Sequence, residues 1–502
     1  MTDMDRRDFL LASVVGSATL LGFNDSPVSR VLERLRASTA QQVVVRKNIY
    51  CLTASSPDIV AYRSAINTMR SRPATDPTSW LAQANIHGSF SPPPGMITDA
   101  CEHFNLFFLS WHRIYLYYFE RIVRAASGTP TFALPYWGYT PVGSTQRNIP
   151  AMFRDPAGIP ELYVAQRNSA LNSGTQMTAS IVDSGAAMAD LTFSPFSSDL
   201  EGTPHGDVHV AVGSLPTTAG PGVDGWMGAF ETAGQDPIFW LHHANLDRLW
   251  SAWIASGGGR ANPTTATWLN HSWTFYDETG AQVTMTGAQV LDTAAQLGYS
   301  YARTSCVRRP PLDIYTRIRL IDPRILELLK RIRIRKPWPG PPPPPLAQGN
   351  PVALKSSPLN MRLPVSPEGR RILERFPTQR GEGNNVALVF SDIRLQSAPT
   401  VFYEVYVNLP RLDARTEYTS PHYVGNISFF GPSPRGRHKE MPLTRSLSLL
   451  TAYARLSAAG LWRNDTLQVT LVPRAFAEGG QPERLLAGKT QATIGRIELR
   501  IE

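Results

Sequence analysis

The chain has 502 residues, 42% of them hydrophobic and 18% charged. That is the balance of a soluble globular protein, and the length is too great for one core, so two or three domains are expected. Much of the net charge of +9 is local to residues 308–336; no nucleic-acid motif accompanies that stretch, so it reads as a solvated basic linker. The three cysteines, Cys51, Cys101 and Cys306, exclude a disulfide framework or a zinc ribbon.

Residues 1–40 form an extension in which Arg6-Arg7-Asp8-Phe9-Leu10 precedes an apolar run to Leu21. This order matches a twin-arginine export signal, which predicts a periplasmic or secreted protein folded before export. The run is too short for a stable membrane span, and no other stretch approaches its length.

Pro57 to Met69 predicts a helix, with Ile59, Tyr62, Ile66 and Met69 on one face. Trp80–His87 predicts a second, ended by Gly88. A strong helix follows from about Ser110 to Ala126. His103 and His112 are nine residues apart and would lie on opposite faces of one continuous helix. To meet one ion, His103 must sit on the loop before the helix and His112 in its first turn, with His87 able to supply a third imidazole. Residues 130–200 read as loops with short helices. His205 and His209 then stand at i and i+4, the spacing of helical metal sites, with Pro204 suited to a helix start. A further helix begins at Pro237, capped by Asp236, and carries His242 and His243 in an aromatic run with Phe239, Trp240 and Trp250.

Seven of the ten histidines fall in these clusters: His87, His103, His112, His205, His209, His242 and His243. Imidazole ligation without carboxylates suits copper, zinc or iron, and two sets of three point to a dinuclear site. After Tyr301 come the basic segment and a proline-rich stretch to Pro345, a stiff linker. Beyond about Val352 the pattern alternates, as in residues 386–395, 400–409, 465–473 and 492–501, and predicts a small antiparallel β-sandwich.

The motifs CEHFNLFFLSWHR (101–113), HGDVHV (205–210) and DPIFWLHHANLDRLW (236–250) resemble those of the type-3 copper family: tyrosinases, catechol oxidases and hemocyanins. Trp268-Leu269, Phe275–Glu278, Leu291-Asp292, Leu297–Tyr301 and segments after residue 400 resemble plant-type polyphenol oxidases. The resemblance implies a multi-domain chain. A mainly α-helical catalytic domain (41–305) with a four-helix-bundle dicopper core is followed by a linker (306–350) and a C-terminal antiparallel β-sandwich (351–502). It implies two copper ions, the first held by His87, His103 and His112, the second by His205, His209 and His243. His242 then supports the site from outside, and Asp247 orients a ligand imidazole. Cys101 matches a cysteine that forms a thioether to the equivalent of His103 in fungal tyrosinases. Cys51 and Cys306 remain, and a disulfide between them is open in an oxidising compartment.

Three further positions carry implied roles. Phe230 matches a bulky gate over the first copper. Glu201 matches a carboxylate that holds a water near the second. Gly206 stands where strong monophenol hydroxylases often have asparagine. The expected reaction is oxidation of catechols to o-quinones by O2, with hydroxylation of monophenols such as tyrosine less favoured. The alternatives are a tyrosinase with strong monophenol hydroxylase activity and a hemocyanin-like oxygen-binding protein. The expected partners are phenolic small molecules, O2, a copper chaperone, and the chain's own C-terminal domain as an intramolecular inhibitor that plugs the substrate path with Phe429 or Phe430. No nucleic acid and no stable membrane span are expected.

Overall fold

Pro57–Arg70 (α1) starts on a proline, whose fixed φ and missing N–H suit a first turn, and buries Ile59, Tyr62, Ile66 and Met69. Trp80–His87 (α2) is capped by the Ser79 hydroxyl, which accepts from the Ala82 N–H at 3.1 Å. Phe108–Ser127 (α3) starts two residues earlier than the periodicity predicts, because Asn105 Oδ1 accepts from the Phe107 N–H at 2.8 Å and turns the chain there. Gly128 ends it with φ 65°, a left-handed stop that glycine takes at little cost. Phe193–Leu200 (α4) leads through a π-helical turn, Glu201–Gly206, into Asp207–Gly213 (α5). Pro204 therefore does not open the α-helix; Thr203 is extended and α5 begins three residues after the proline. Pro237–Ala255 (α6) is capped by Asp236, whose carboxylate accepts from the Ile238 N–H and pairs with the fully buried Arg167.

The computed structural model describes residues 43–140, 146–215, 225–302, 344–375, 386–396, 399–412, 416–431 and 443–501. The twin-arginine segment, the basic segment 308–336, the proline-rich stretch up to residue 343 and Cys306 lie outside them. No helix among the described residues is long and apolar enough to cross a membrane.

The helices share a core of aromatic side chains. Trp240 of α6 lies face to face with Phe119 of α3 and edge-on to Trp80 of α2, so three helices are keyed together by ring contacts. Truncating such a buried indole costs roughly 3–5 kcal/mol. Val44–Arg46 (β1) runs parallel to Tyr299–Tyr301 (β4), which brings the two ends of the helical part together. Between them, Ser272–Tyr276 (β2) and Gln282–Thr286 (β3) form a hairpin.

The C-terminal part is built of two antiparallel sheets, as the alternation predicts. One has the order β10-β9-β12-β7, from Tyr423–Ile427, Val401–Val407, Thr466–Ala475 and Leu359–Pro364. The other has the order β11-β8-β13-β5, from Leu443–Ser448, Val386–Leu395, Ala492–Ile501 and Ala347–Gly349, with β6 (Val352–Leu354) also on β13. Inward residues of both, Val405, Val469 and Leu471 from one and Leu388, Phe390 and Ile494 from the other, fill a single core. This part also pairs by backbone with the helical part: Met177 bridges Ala477 and Ala229 bridges Gly431. Phe402, Phe430 and Phe476 leave the sheets and join the core of the helical part.

Candidate metal centre

His87 is the last residue of α2. Its Nδ1–H donates to the Phe230 carbonyl at 2.8 Å, leaving Nε2 bare and buried. Gly88 is required for this approach, since a Cβ there would stand 2.5 Å from that same carbonyl oxygen. His112 lies in the second turn of α3 and anchors its Nδ1–H on the Phe108 carbonyl one turn back, again leaving Nε2 bare. His103 is on the loop before α3, as its spacing requires, and Phe104, at φ 58°, turns the chain toward the helix. The three ring centres lie 5.1–5.7 Å apart. Cys101, a free thiol, lies close enough that one ligand atom each from His87, Cys101 and His103 fall within 4.8 Å of one another.

The second group repeats the device. His205 Nδ1–H donates to the Glu201 carbonyl at 3.0 Å, and His209 Nδ1–H to the Met227 carbonyl at 2.8 Å. His243, on α6, turns its Nε2 to within 3.2 Å of His209 Nε2. The His112 and His243 rings stack 4.3 Å apart and join the two groups.

In four of the six imidazoles a backbone carbonyl thus fixes the proton on Nδ1 and aims the Nε2 lone pair inward. Burial lowers the pKa of all six, to about 4 for His87, so they are neutral ligands. Two lone pairs 3.2 Å apart repel unless something sits between them. A tetrahedral ion with about 2.0–2.1 Å bonds sets its nitrogens about 3.3 Å apart, so the residues present fit a metal. Ligand atoms of His205, His209, His242 and His243 lie within 4.8 Å of one another, as do those of His87, His112 and His243, and these adjoining imidazole clusters fit a dinuclear copper site.

His242 differs from its neighbour. Its Nδ1 is hydrogen-bonded to the Tyr139 hydroxyl at 2.7 Å and its ring lies parallel to that of His205 at 5.7 Å. Burial lowers its pKa to about 3, even with the His205 carbonyl nearby. It braces the second group, although its ring is close enough to be counted with His205, His209 and His243.

Asp247 does not orient an imidazole, contrary to expectation. Its carboxylate is filled by Arg113 Nε at 2.5 Å, Tyr299 at 2.6 Å, Tyr301 at 2.5 Å and Arg46 at 3.4 Å. Burial would raise its pKa, but Arg113, Arg46 and the two phenols bring it below the usual carboxylate range. Arg46 also binds Glu120 at 2.8 Å, and Glu120 pairs in turn with Arg124, so two buried acids and three arginines form a network that ties β1, α3, α6 and β4 together. His243 Nδ1 has no partner among the described residues.

The remaining expected positions converge on the centre. Phe230 stacks on His103 at 4.4 Å and meets His87 edge-on, covering the first group. Glu201 accepts from the Phe104 N–H at 2.6 Å, and burial pushes it up to about 8. Gly206 lies against the C-terminal part: a Cβ there would stand 3.4 Å from Phe430 Cβ. Cys51 is disulfide-bonded; its expected partner, Cys306, lies outside the described residues.

The two phenylalanine candidates separate. Phe429 fills the core between the sheets. Phe430 enters the centre, with its ring stacked on His209 at 4.0 Å and edge-on to His205, His103 and Phe230 at 4.8–5.9 Å. Sequence reasoning missed Arg445, Asn426, Arg46 and Tyr139. Asn426 Nδ2 donates to Asp207 Oδ2 at 2.7 Å, across the seam and between two of the histidines in sequence. Asn426 lies outside the predicted strands, where a polar residue carries no mark of such a contact.

The common central domain of tyrosinase matches residues 77–161 and 160–256, the polyphenol oxidase middle domain matches 262–310, and a domain of unknown function matches 346–500. A tyrosinase from Hahella sp. (strain CCB-MM4) is 26% identical over 91% of this chain and 99% of its own length. Catechol oxidase B, chloroplastic, from Solanum tuberosum is 28% identical over 84% of this chain and 72% of its own length. The fold is similar to that of a latent apple tyrosinase, with a TM-score of 0.62 at 22% identity over 91% of this chain and 97% of that one.

Proposed function

We propose that this chain, which belongs to the tyrosinase and polyphenol oxidase family of type-3 copper proteins, oxidises o-diphenols to o-quinones with O2 and is held latent by its own C-terminal part. The observation that carries the reading is an aromatic ring, Phe430, stacked on His209 between two facing sets of imidazoles, where a substrate ring would lie. His87, His103 and His112 would hold one copper, and His205, His209 and His243 the other. When bound there, two coppers would supply the electron exchange between O2 and the phenol; overall, two catechols would lose four electrons and four protons to one O2, giving two quinones and two waters.

The chain's own residues set access and proton handling. Phe230 leans over the first group, so a phenol approaches the second, along the face of His209. Glu201, pushed up to about 8, is a closer match to a phenolic proton than an ordinary carboxylate and can hold a water for that purpose. Gly206 offers no side chain to orient that water, which favours diphenols over monophenols. Cys101 and His103 are read as a thioether pair, detectable as a loss of two hydrogens in mass. We further read α2, α3, α5 and α6 as a four-helix bundle and the two sheets as a sandwich. The domain limits proposed are 41–305, 306–350 and 351–502, with export by the twin-arginine route.

The test is oxygen uptake with catechol and with tyrosine by the copper-loaded intact chain and its Phe430→Ala variant. Two coppers per chain are expected, with a rate about tenfold or more higher in the variant, and higher on catechol. Two bound coppers with no turnover by either protein would sink the enzyme reading in favour of an oxygen carrier.

A further inference from the structure

Phe430 belongs to a short segment, 426–431, that the C-terminal part lays across the metal centre. Besides a Ser428–Asp207 hydrogen bond and the backbone bridge from Gly431 to Ala229, two side chains hold that segment. Asn426 donates from Nδ2 both to Asp207 Oδ2, at 2.7 Å, and to the Ser180 carbonyl, at 3.0 Å. Arg445, on β11, donates from Nε to the Ser428 carbonyl at 3.2 Å, from Nη2 to the Phe430 carbonyl, and from Nη1 to the Thr444 carbonyl at 3.0 Å. The guanidinium is 7% exposed, and all its hydrogen bonds among the described residues go to main-chain carbonyls. Glu201 and Asp207 compensate its charge only at longer range.

A buried cation without a directly bonded carboxylate is a poor stabilising device, since its desolvation is not repaid by a close opposite charge. It is a good positioning device, because a charged fork fixes two carbonyls of one turn at once. The backbone is shaped for this use. The β11–β8 register shifts between Leu443 and Arg445, and the β10–β9 register shifts between Tyr423 and Gly425, just before Asn426. Such irregularities re-aim side chains, and here each precedes or bears one of the two holding residues. A cavity of about 390 Å³, lined in part by Phe104, Leu106, Glu201, Thr444 and Arg445, opens beside the guanidinium. Residues 428–431 lie beyond the end of β10, so they are not themselves paired in the two sheets.

We propose that Arg445 and Asn426 are positioning residues that clip Phe430 into the metal centre, so that the seated and lifted states of residues 428–431 are set chiefly by these two side chains and not by the folding of the sheets. The proposal rests on the reading of Phe430 as a plug. It is tested in the copper-loaded intact chain with Arg445→Gln, Arg445→Lys, Asn426→Ala and Phe430→Ala, by catechol oxidation and by amide hydrogen exchange. Arg445→Gln is expected to raise the rate about tenfold, the response to a lost hydrogen bond from a charged group, with Asn426→Ala smaller and Arg445→Lys intermediate. Exchange should quicken at residues 428–431 while β8 and β13 stay protected. An unchanged rate and unchanged exchange in Arg445→Gln overturns the clip, as does activation accompanied by loss of protection in β8 and β13. If Phe430→Ala is itself inactive, the oxidase reading fails, and exchange at 428–431 still decides the clip.

Discussion

The two histidine groups are built alike and closed differently. The first is covered by Phe230 of the helical part, which stacks on His103 while its carbonyl anchors His87. Cover and ligand are one unit, and the cover cannot leave without disturbing the ligand. The second is covered by Phe430, which comes from the C-terminal part into the helical core and is held by side chains that serve no imidazole. On the proposed reading, a permanent wall on one side and a removable one on the other would direct substrate to the second group and make the C-terminal part the gate.

The largest break in this contrast comes from the ligands. His209→Ala should lower bound copper from two ions to one per chain, by metal analysis, and take catechol oxidation to background; retention of both ions would contradict the assignment of the second group. Next in size is Asp247→Asn. It leaves two buried arginines short of charge and should cost roughly 3–5 kcal/mol of stability in denaturant unfolding. Copper content at low temperature should hold, because Asp247 touches neither group.

A smaller effect is pH-dependent. Burial raises Glu201 to about 8 in the folded chain, so it keeps a proton that the unfolded chain loses near the ordinary value of about 4.3. Its contribution favours folding below the unfolded value and is lost as pH rises toward about 8. The seven buried imidazoles, all lowered, act in the opposite sense below the ordinary histidine value of about 6.5, so the metal-free chain should melt at lower temperature as pH rises from there toward about 8, and Glu201→Gln should flatten that slope; an unaltered slope refutes the raised value. Smallest is Gly206→Asn. A side chain there would press on Phe430 and should raise catechol oxidation by the intact chain a few-fold. No change would mean that the segment has room to spare.

Local signals made much of this legible. Pro57, Trp80, Pro237 and the strands from Val386, Val401, Thr466 and Ala492 start at or within a residue or two of where propensity and alternation put them. The histidines converge as their spacing demands. Asp247 was misread because helical spacing placed it one turn from His243, while its partners come from β1, α3 and β4, far away in sequence. The π-helical turn before α5 was hidden for a similar reason, since Pro204 suits a helix start whatever precedes it. Arg445 was invisible because it falls outside the predicted strands, where an arginine reads as solvated. In the structure it shares a strand face with the buried Leu443 and Leu447, and that alternation turns it inward.

The backbone pairing on the far side of the seam has a consequence for activation. Thr178 N–H donates to the Phe476 carbonyl and Glu478 N–H to the Gln176 carbonyl, both at 2.9 Å, and Arg147 pairs with Glu478. None of these bonds passes through the linker. Scission there would leave a fragment still seated, now held as a bimolecular complex with the tether's effective concentration removed. The cut protein should then stay silent when concentrated and wake on dilution, so a protease would set a threshold concentration and leave the onset of activity to mass action.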